Sequence, residues 1–161
     1  MTDSVIFRFP AASLSETSRL ATALAGVLRP GDVIALGGTL GAGKTAFVRA
    51  LVRALAGQEI DVPSPTFNLL LTYDFPDYCL YHYDLYRLES PEEALELDID
   101  EAFDYGVSLI EWPDRLGRYL PAGHLRIDIT VMEDSGSRLF ELTGDESWRS
   151  RFMTLEEILG A

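Results

Sequence analysis

Residues 33 to 56 constrain this chain more than any other stretch: Val-Ile-Ala-Leu-Gly-Gly-Thr-Leu-Gly-Ala-Gly-Lys-Thr-Ala-Phe-Val-Arg-Ala-Leu-Val-Arg-Ala-Leu-Ala. Gly38 to Thr45 fits Gly-x-x-x-x-Gly-Lys-Thr, the pattern of a phosphate-binding loop. At ordinary residue usage a random chain of this length shows it roughly once in a hundred or more tries. The flanks agree with the pattern. Val33 to Leu36 is a short apolar run, as in a strand buried on both faces. Lys44 to Ala56 reads as a helix with Phe47, Val48, Leu51, Val52 and Leu55 on one stripe, and Gly57 is its stop.

A strand, a glycine-rich turn and a helix in that order can cradle a phosphate. Glycines let successive N–H groups converge on one concavity, and the helix N-terminus adds partial positive charge. Gly38, Leu40, Gly41, Ala42, Gly43 and Lys44 form the expected cradle. Lys44 would reach the β- and γ-phosphates, and the Thr45 hydroxyl would ligate Mg²⁺. Lys44 is the one lysine in the chain; the other 12 basic residues are arginine. A slim ammonium thus stands where a point charge must enter a narrow loop.

The rest of the chain predicts an α/β fold: one P-loop domain over 1–161, a mixed sheet with an antiparallel hairpin portion, and flanking helices. Ser4 to Phe9 reads as a strand with Val5, Phe7 and Phe9 on one face, ended by Pro10. Ser13 or Ser15 caps a helix to about Leu28. Phe67 to Tyr73 and Tyr78 to Leu85 form the hairpin around Asp74–Asp77. Ser90-Pro91-Glu92-Glu93 opens a helix, and the eight acids between Glu89 and Asp104 are expected to be its solvated face. Val107 to Ile110 is a strand, and His124 to Met132 and Arg138 to Thr143 are two more around the turn at Glu133-Asp134-Ser135-Gly136. Residues 145–161 are expected to be a weakly helical tail prone to fraying.

Three further residues are candidates to complete the site. Glu111 follows Val-Ser-Leu-Ile at a strand end, where a carboxylate can anchor Mg²⁺, directly or through water, or polarise an attacking water. Thr66, in the stiff Pro63-Ser64-Pro65 segment, is placed either to sense a γ-phosphate as switch loops do or to serve as a turn residue. Asp84 can join the metal shell or pair with Arg87. His82 has no second His or Cys near it in sequence and reads as a packed or hydrogen-bonded histidine.

Composition limits the partners. The formal charge of −13 argues against a broad electrostatic grip on nucleic acid or anionic membrane, so little direct RNA binding by the isolated chain is expected. A single cysteine rules out an internal disulfide and suits a reducing, cytoplasmic setting. No signal peptide or membrane span is expected.

Four segments together resemble the TsaE (YjeE) family of bacterial P-loop ATPases of tRNA threonylcarbamoyladenosine biosynthesis. They are Gly38–Thr45, Ser64-Pro65-Thr66-Phe67, Tyr81-His82-Tyr83-Asp84-Leu85-Tyr86-Arg87-Leu88 and Glu111-Trp112-Pro113, in matching order over roughly residues 13 to 130. The resemblance implies an ATP site with Mg²⁺ on Thr45 and Glu111, a switch-like Thr66 and a site role for Asp84. It also places Thr17 and Gly136 near the adenine. It implies weak ATP hydrolysis that depends on TsaD- and TsaB-type partners. Thr39 stands where the family usually has an acid, which leaves that acid's role without a carrier here. The alternative is a small-molecule P-loop kinase, which would need an arginine-bearing lid; Arg115 and Arg118 are the arginines available for one. A GTPase is excluded, because its Asn-Lys-x-Asp segment needs a second lysine.

Overall fold

The computed structural model describes residues 4–39, 42–65, 67–133 and 135–159. Along the chain run β1 (Ser4–Ala11), α1 (Leu14–Ala25), β2 (Val33–Gly37), α2 (Lys44–Ala56), β3 (Leu70–Asp74), β4 (Cys79–Asp84), α3 (Ile99–Tyr105), β5 (Val107–Glu111), β6 (Leu125–Val131), β7 (Arg138–Gly144) and α4 (Glu146–Leu159). Two 3-10 segments, Pro91–Leu97 and Pro113–Tyr119, flank α3 and β5.

The strands form one seven-stranded sheet in the order β1-β7-β6-β2-β5-β4-β3. Its centre, β6-β2-β5-β4, is parallel. The hairpin partner β3 closes one side antiparallel to β4. On the other side β7 runs antiparallel to β6, and β1 antiparallel to β7. The apolar runs Val33–Gly37 and Val107–Glu111 are buried at every position because both faces of the central sheet are covered. One core, with Leu36, Phe47, Leu51, Phe140 and Phe152, lies under α1, α2 and α4. The other, with Val33, Tyr83, Leu88, Ile110 and Leu116, lies under α3 and the 3-10 segments. The α/β architecture with a mixed sheet and flanking helices is the one the sequence predicts.

Five details differ from the sequence reading. Pro10 does not end β1: it pairs with Leu139, and an edge strand tolerates the missing N–H. The register shifts between Val5 and Phe7, so Phe7, Phe9 and Ala11 turn inward and Val5 is left 37% exposed. Helix α1 ends at Ala25 on the Gly26 cap, not at Leu28. Its N-cap is Ser13, whose Oγ accepts from Glu16 N at 3.3 Å while the Glu16 carboxylate accepts from Ala12 N. Ser90 makes its capping box with Glu93, but the turn it opens is 3-10 and breaks at Asp98, whose φ is +57°. All eight acids from Glu89 to Asp104 are exposed. Finally, the tail is a 14-residue helix that buries Trp148, Phe152, Leu155 and Leu159, and this apolar stripe gives it a docking face.

Among the described residues no helix is long and apolar enough to cross a membrane.

Candidate functional site

The site sits where parallel strands end. β2 delivers the chain to Gly38, whose φ is +135° and whose Cβ, were there one, would stand 2.8 Å from the Ile129 carbonyl oxygen. Only glycine fits there. Leu40 and Gly41 lie outside the described residues. The loop resumes at Ala42, whose N–H donates to the Thr39 carbonyl at 3.0 Å. Gly43, at φ +110°, begins α2 without a side-chain cap. Among the described residues no side chain caps the first-turn N–H groups of this helix, which suits an external acceptor.

Lys44 opens α2 and is 6% exposed. Its Nζ donates to the Gly38 carbonyl at 3.0 Å and lies 4.4 Å from the centre of the Trp112 ring. Thr45 follows in the first turn, half-buried.

Register brings the carboxylates to this loop. Glu111, the last residue of β5, pairs with Leu36 of β2 on one side and with Asp84 of β4 on the other. Both acids are nearly buried, at 5% and 7% exposure. Glu111 Oε2 lies 2.7 Å from Nε2 of His82, itself 1% exposed. Asp84 Oδ1 accepts from Tyr86 N at 3.1 Å. Thr66 lies outside the described residues. Beside it, Pro65 O accepts from Leu69 N at 2.7 Å, and the exposed Phe67 ring sits under the Arg87 guanidinium at 4.7 Å.

A cavity of about 350 Å³ adjoins the N-terminus of α2. Thr17 and Gly136 both line it, together with Ser13, Gly43, Arg138 and Phe140. Residues 119 positions apart in sequence thus share one wall of the loop. A second groove of about 520 Å³ runs between α1 and α2 and shares Leu14, Thr17 and Ala46 with the first.

Two residues here have no place in the sequence reading of the site. Arg138, the first residue of β7, donates from Nε to the Ala42 carbonyl at 2.9 Å and from Nη1 to the Gly136 carbonyl at 2.8 Å. It ties the phosphate loop to the β6–β7 turn. Nothing local marks it, because its partner is 96 residues away. Trp112 holds a left-handed backbone, φ +61°, directly before Pro113. That conformation is costly for a bulky residue and points to a positional demand. The legible signal is an aromatic residue wedged between the strand-end acid and a proline.

A parallel sheet core, a glycine-bent loop leading into a helix, a buried lysine at its start and acids at the adjoining strand ends define a P-loop protein. Residues 11–140 match the family model described as threonylcarbamoyl adenosine biosynthesis protein TsaE, and the chain belongs to that family. It is 40% identical over 133 residues to the tRNA threonylcarbamoyladenosine biosynthesis protein TsaE of Rickettsia bellii, covering 83% of this chain and 92% of that protein. With the protein of the same name from Bacillus subtilis the identity is 41% over 129 residues, covering 80% and 78%. Its fold is similar to the crystal structure of Bacillus subtilis YdiB, with a TM-score of 0.76, 29% identity, and coverage of 98% of this chain and 96% of that one.

Proposed function

We propose that this chain binds ATP with Mg²⁺ and hydrolyses it slowly, in support of threonylcarbamoyladenosine modification of tRNA, together with TsaD- and TsaB-type partners in the cytoplasm. One observation carries the reading. A buried lysine ammonium stands in a glycine-bent loop, with Glu111 and Asp84 paired side by side at the adjoining strand ends. That arrangement suits a triphosphate and its metal.

The residues present fit the ion. Mg²⁺ is usually held by one or two protein groups and completed by phosphate oxygens and water. Thr45, at the first turn of α2, and Glu111, whose Oε1 makes no hydrogen bond among the described residues, supply that number. When bound, the ion neutralises charge on the β- and γ-phosphate oxygens. The chain's own groups do the rest. Lys44 exchanges the Gly38 carbonyl for phosphate oxygens. Gly38, Leu40, Gly41, Ala42 and Gly43 offer main-chain donors. Thr17 and Gly136 flank the base in their shared cavity, and Thr66 and Asp84 act beside the γ-phosphate. Positioning alone leaves turnover slow, because an activating charge from a partner is worth several orders of magnitude in phosphoryl transfer.

The kinase alternative has less support. Arg115 donates to the Leu88 carbonyl at 3.4 Å, and Arg118 binds Glu92 at 3.2 Å and Tyr119 at 2.9 Å. These contacts hold both would-be lid arginines, which lie on the second 3-10 segment, against Leu88, Glu92 and Tyr119.

The test is calorimetry with Mg²⁺ and adenine nucleotide, followed by phosphate release with and without the partner proteins. Binding with slow turnover that partners accelerate is expected. Glu111→Ala should lower turnover more than affinity; equal rates in wild type and Glu111→Ala would remove Glu111 from its role. Phosphorylation of a metabolite would favour the kinase.

A further inference from the structure

The closest polar contact to the strand-end acid comes from a residue that the proposed reaction has not used. His82 points from β4 on the same face as Asp84, two residues before it, and reaches Glu111 on the neighbouring strand at 2.7 Å. Both side chains are out of water, at 1% and 6% side-chain exposure. Water therefore neither competes for this bond nor substitutes for it.

The bond has a direction. An ionised carboxylate only accepts, so Nε2 carries the proton. The other ring nitrogen, Nδ1, is buried and has no hydrogen-bond partner among the described residues. Placing the proton on Nδ1 instead would bury an orphan N–H donor, a rarer and costlier arrangement than an idle lone pair. Imidazole thus donates through Nε2 to Oε2 of Glu111 and fixes the carboxylate plane. Oε1 is left without a hydrogen bond among the described residues.

We propose that His82 is a positioning residue: it holds Glu111 so that Oε1 alone is presented to the metal–phosphate site. The inference rests on the Mg²⁺–ATP reading above and adds an element to it. His82 touches neither nucleotide nor metal and acts only through Glu111. Hydrogen-bonded supports of ligating carboxylates typically change metal affinity or activity by about 10–100-fold when removed.

The test uses the full chain. Mn²⁺ affinity is measured by electron paramagnetic resonance in the presence of a non-hydrolysable ATP analogue, alongside metal-free ADP affinity and kcat. His82→Leu removes the donor, His82→Gln keeps one at similar reach, and His82→Asn keeps a donor too short to reach. His82→Leu and His82→Asn should each weaken Mn²⁺ binding by about tenfold or more and lower kcat similarly, with ADP affinity unchanged. His82→Gln should recover most of the loss. In a Glu111→Ala background His82→Asn should have no further effect, since its route is gone. If His82→Leu does not fold, the Asn and Gln pair carries the same comparison. Wild-type Mn²⁺ affinity and kcat in His82→Asn, or a full additional loss in the Glu111→Ala background, would overturn the positioning role while leaving ATP binding intact. Failure of the wild-type chain to bind nucleotide at all would overturn the underlying reading and this inference with it.

Discussion

The ammonium of Lys44 rests 4.4 Å from the centre of the Trp112 indole, and that ring packs in turn against Tyr86 with centroids 4.9 Å apart. The loop lysine is therefore held by a ring and by the Gly38 carbonyl, two contacts that a phosphate would replace.

The exchange should be visible. Nucleotide binding is expected to change Trp112 emission, while Trp148, 2% exposed in the core, stays constant. Lys44→Ala should weaken nucleotide binding by about tenfold or more, since a hydrogen bond to a charged group contributes about 1.5–3 kcal/mol. Trp112→Phe should abolish the optical change and alter affinity by no more than about fivefold, because phenylalanine keeps an aromatic face beside the ammonium. Fluorescence and calorimetric titrations read both; an unchanged emission in wild type at saturating nucleotide would refute the displacement of Lys44.

Arg138 is expected to shape the loop rather than the fold. Arg138→Ala frees the Ala42 and Gly136 carbonyls and should reduce nucleotide affinity by roughly tenfold, with a small effect on melting. Arg138→Lys should recover only part of this, because an ammonium lacks the fork that spans both carbonyls. Calorimetry on the two variants decides it; full recovery by lysine would reduce Arg138 to a point charge.

Asp32 and Arg151 form a two-pronged ion pair at 2.6 and 3.0 Å, with side chains 8% and 11% exposed. The pair ties α4 to the start of β2. Arg151→Ala leaves Asp32 buried without its cation and should cost about 3 kcal/mol, or roughly 6–12 °C in melting temperature. Nucleotide affinity should be unchanged. A melting point within two degrees or so of wild type would show that α4 docks by its apolar stripe alone.

Alkaline pH should unfold the chain through its tyrosines. Burial pushes the phenols of Tyr81 and Tyr83 above their ordinary value, and Tyr83 donates to the Leu97 carbonyl at 2.8 Å. Folding favours the neutral phenols, so their contribution is complete below the unfolded pKa of about 10 and is lost as pH rises beyond it. Denaturant titrations at successive pH values should show stability falling above about pH 10, and Tyr83→Phe should flatten that fall. An unaltered slope in Tyr83→Phe would remove this residue from the alkaline transition.

Much of the site is readable along the chain because its centre is local. The buried run of β2, the glycines and the stripe of α2 are contiguous. Steric rules for glycine and the 3.6-residue period act within a few neighbours. The same local logic marks Glu111 as the end of an apolar strand and sets up the β3–β4 hairpin around its turn. It misplaces the end of β1, because whether Pro10 is tolerated depends on being at a sheet edge. It underrates the tail, because its apolar stripe gains a meaning only from the surface it covers.

What folding alone settles is who meets whom. No spacing rule puts Glu111 between Leu36 and Asp84, aims His82 at its carboxylate, or carries Arg138 back to the Ala42 carbonyl. Those pairings follow from sheet order and register, which arise when strands distant in sequence bury their apolar faces together. Periodicity tells each strand which side is apolar, but not which strand will lie beside it.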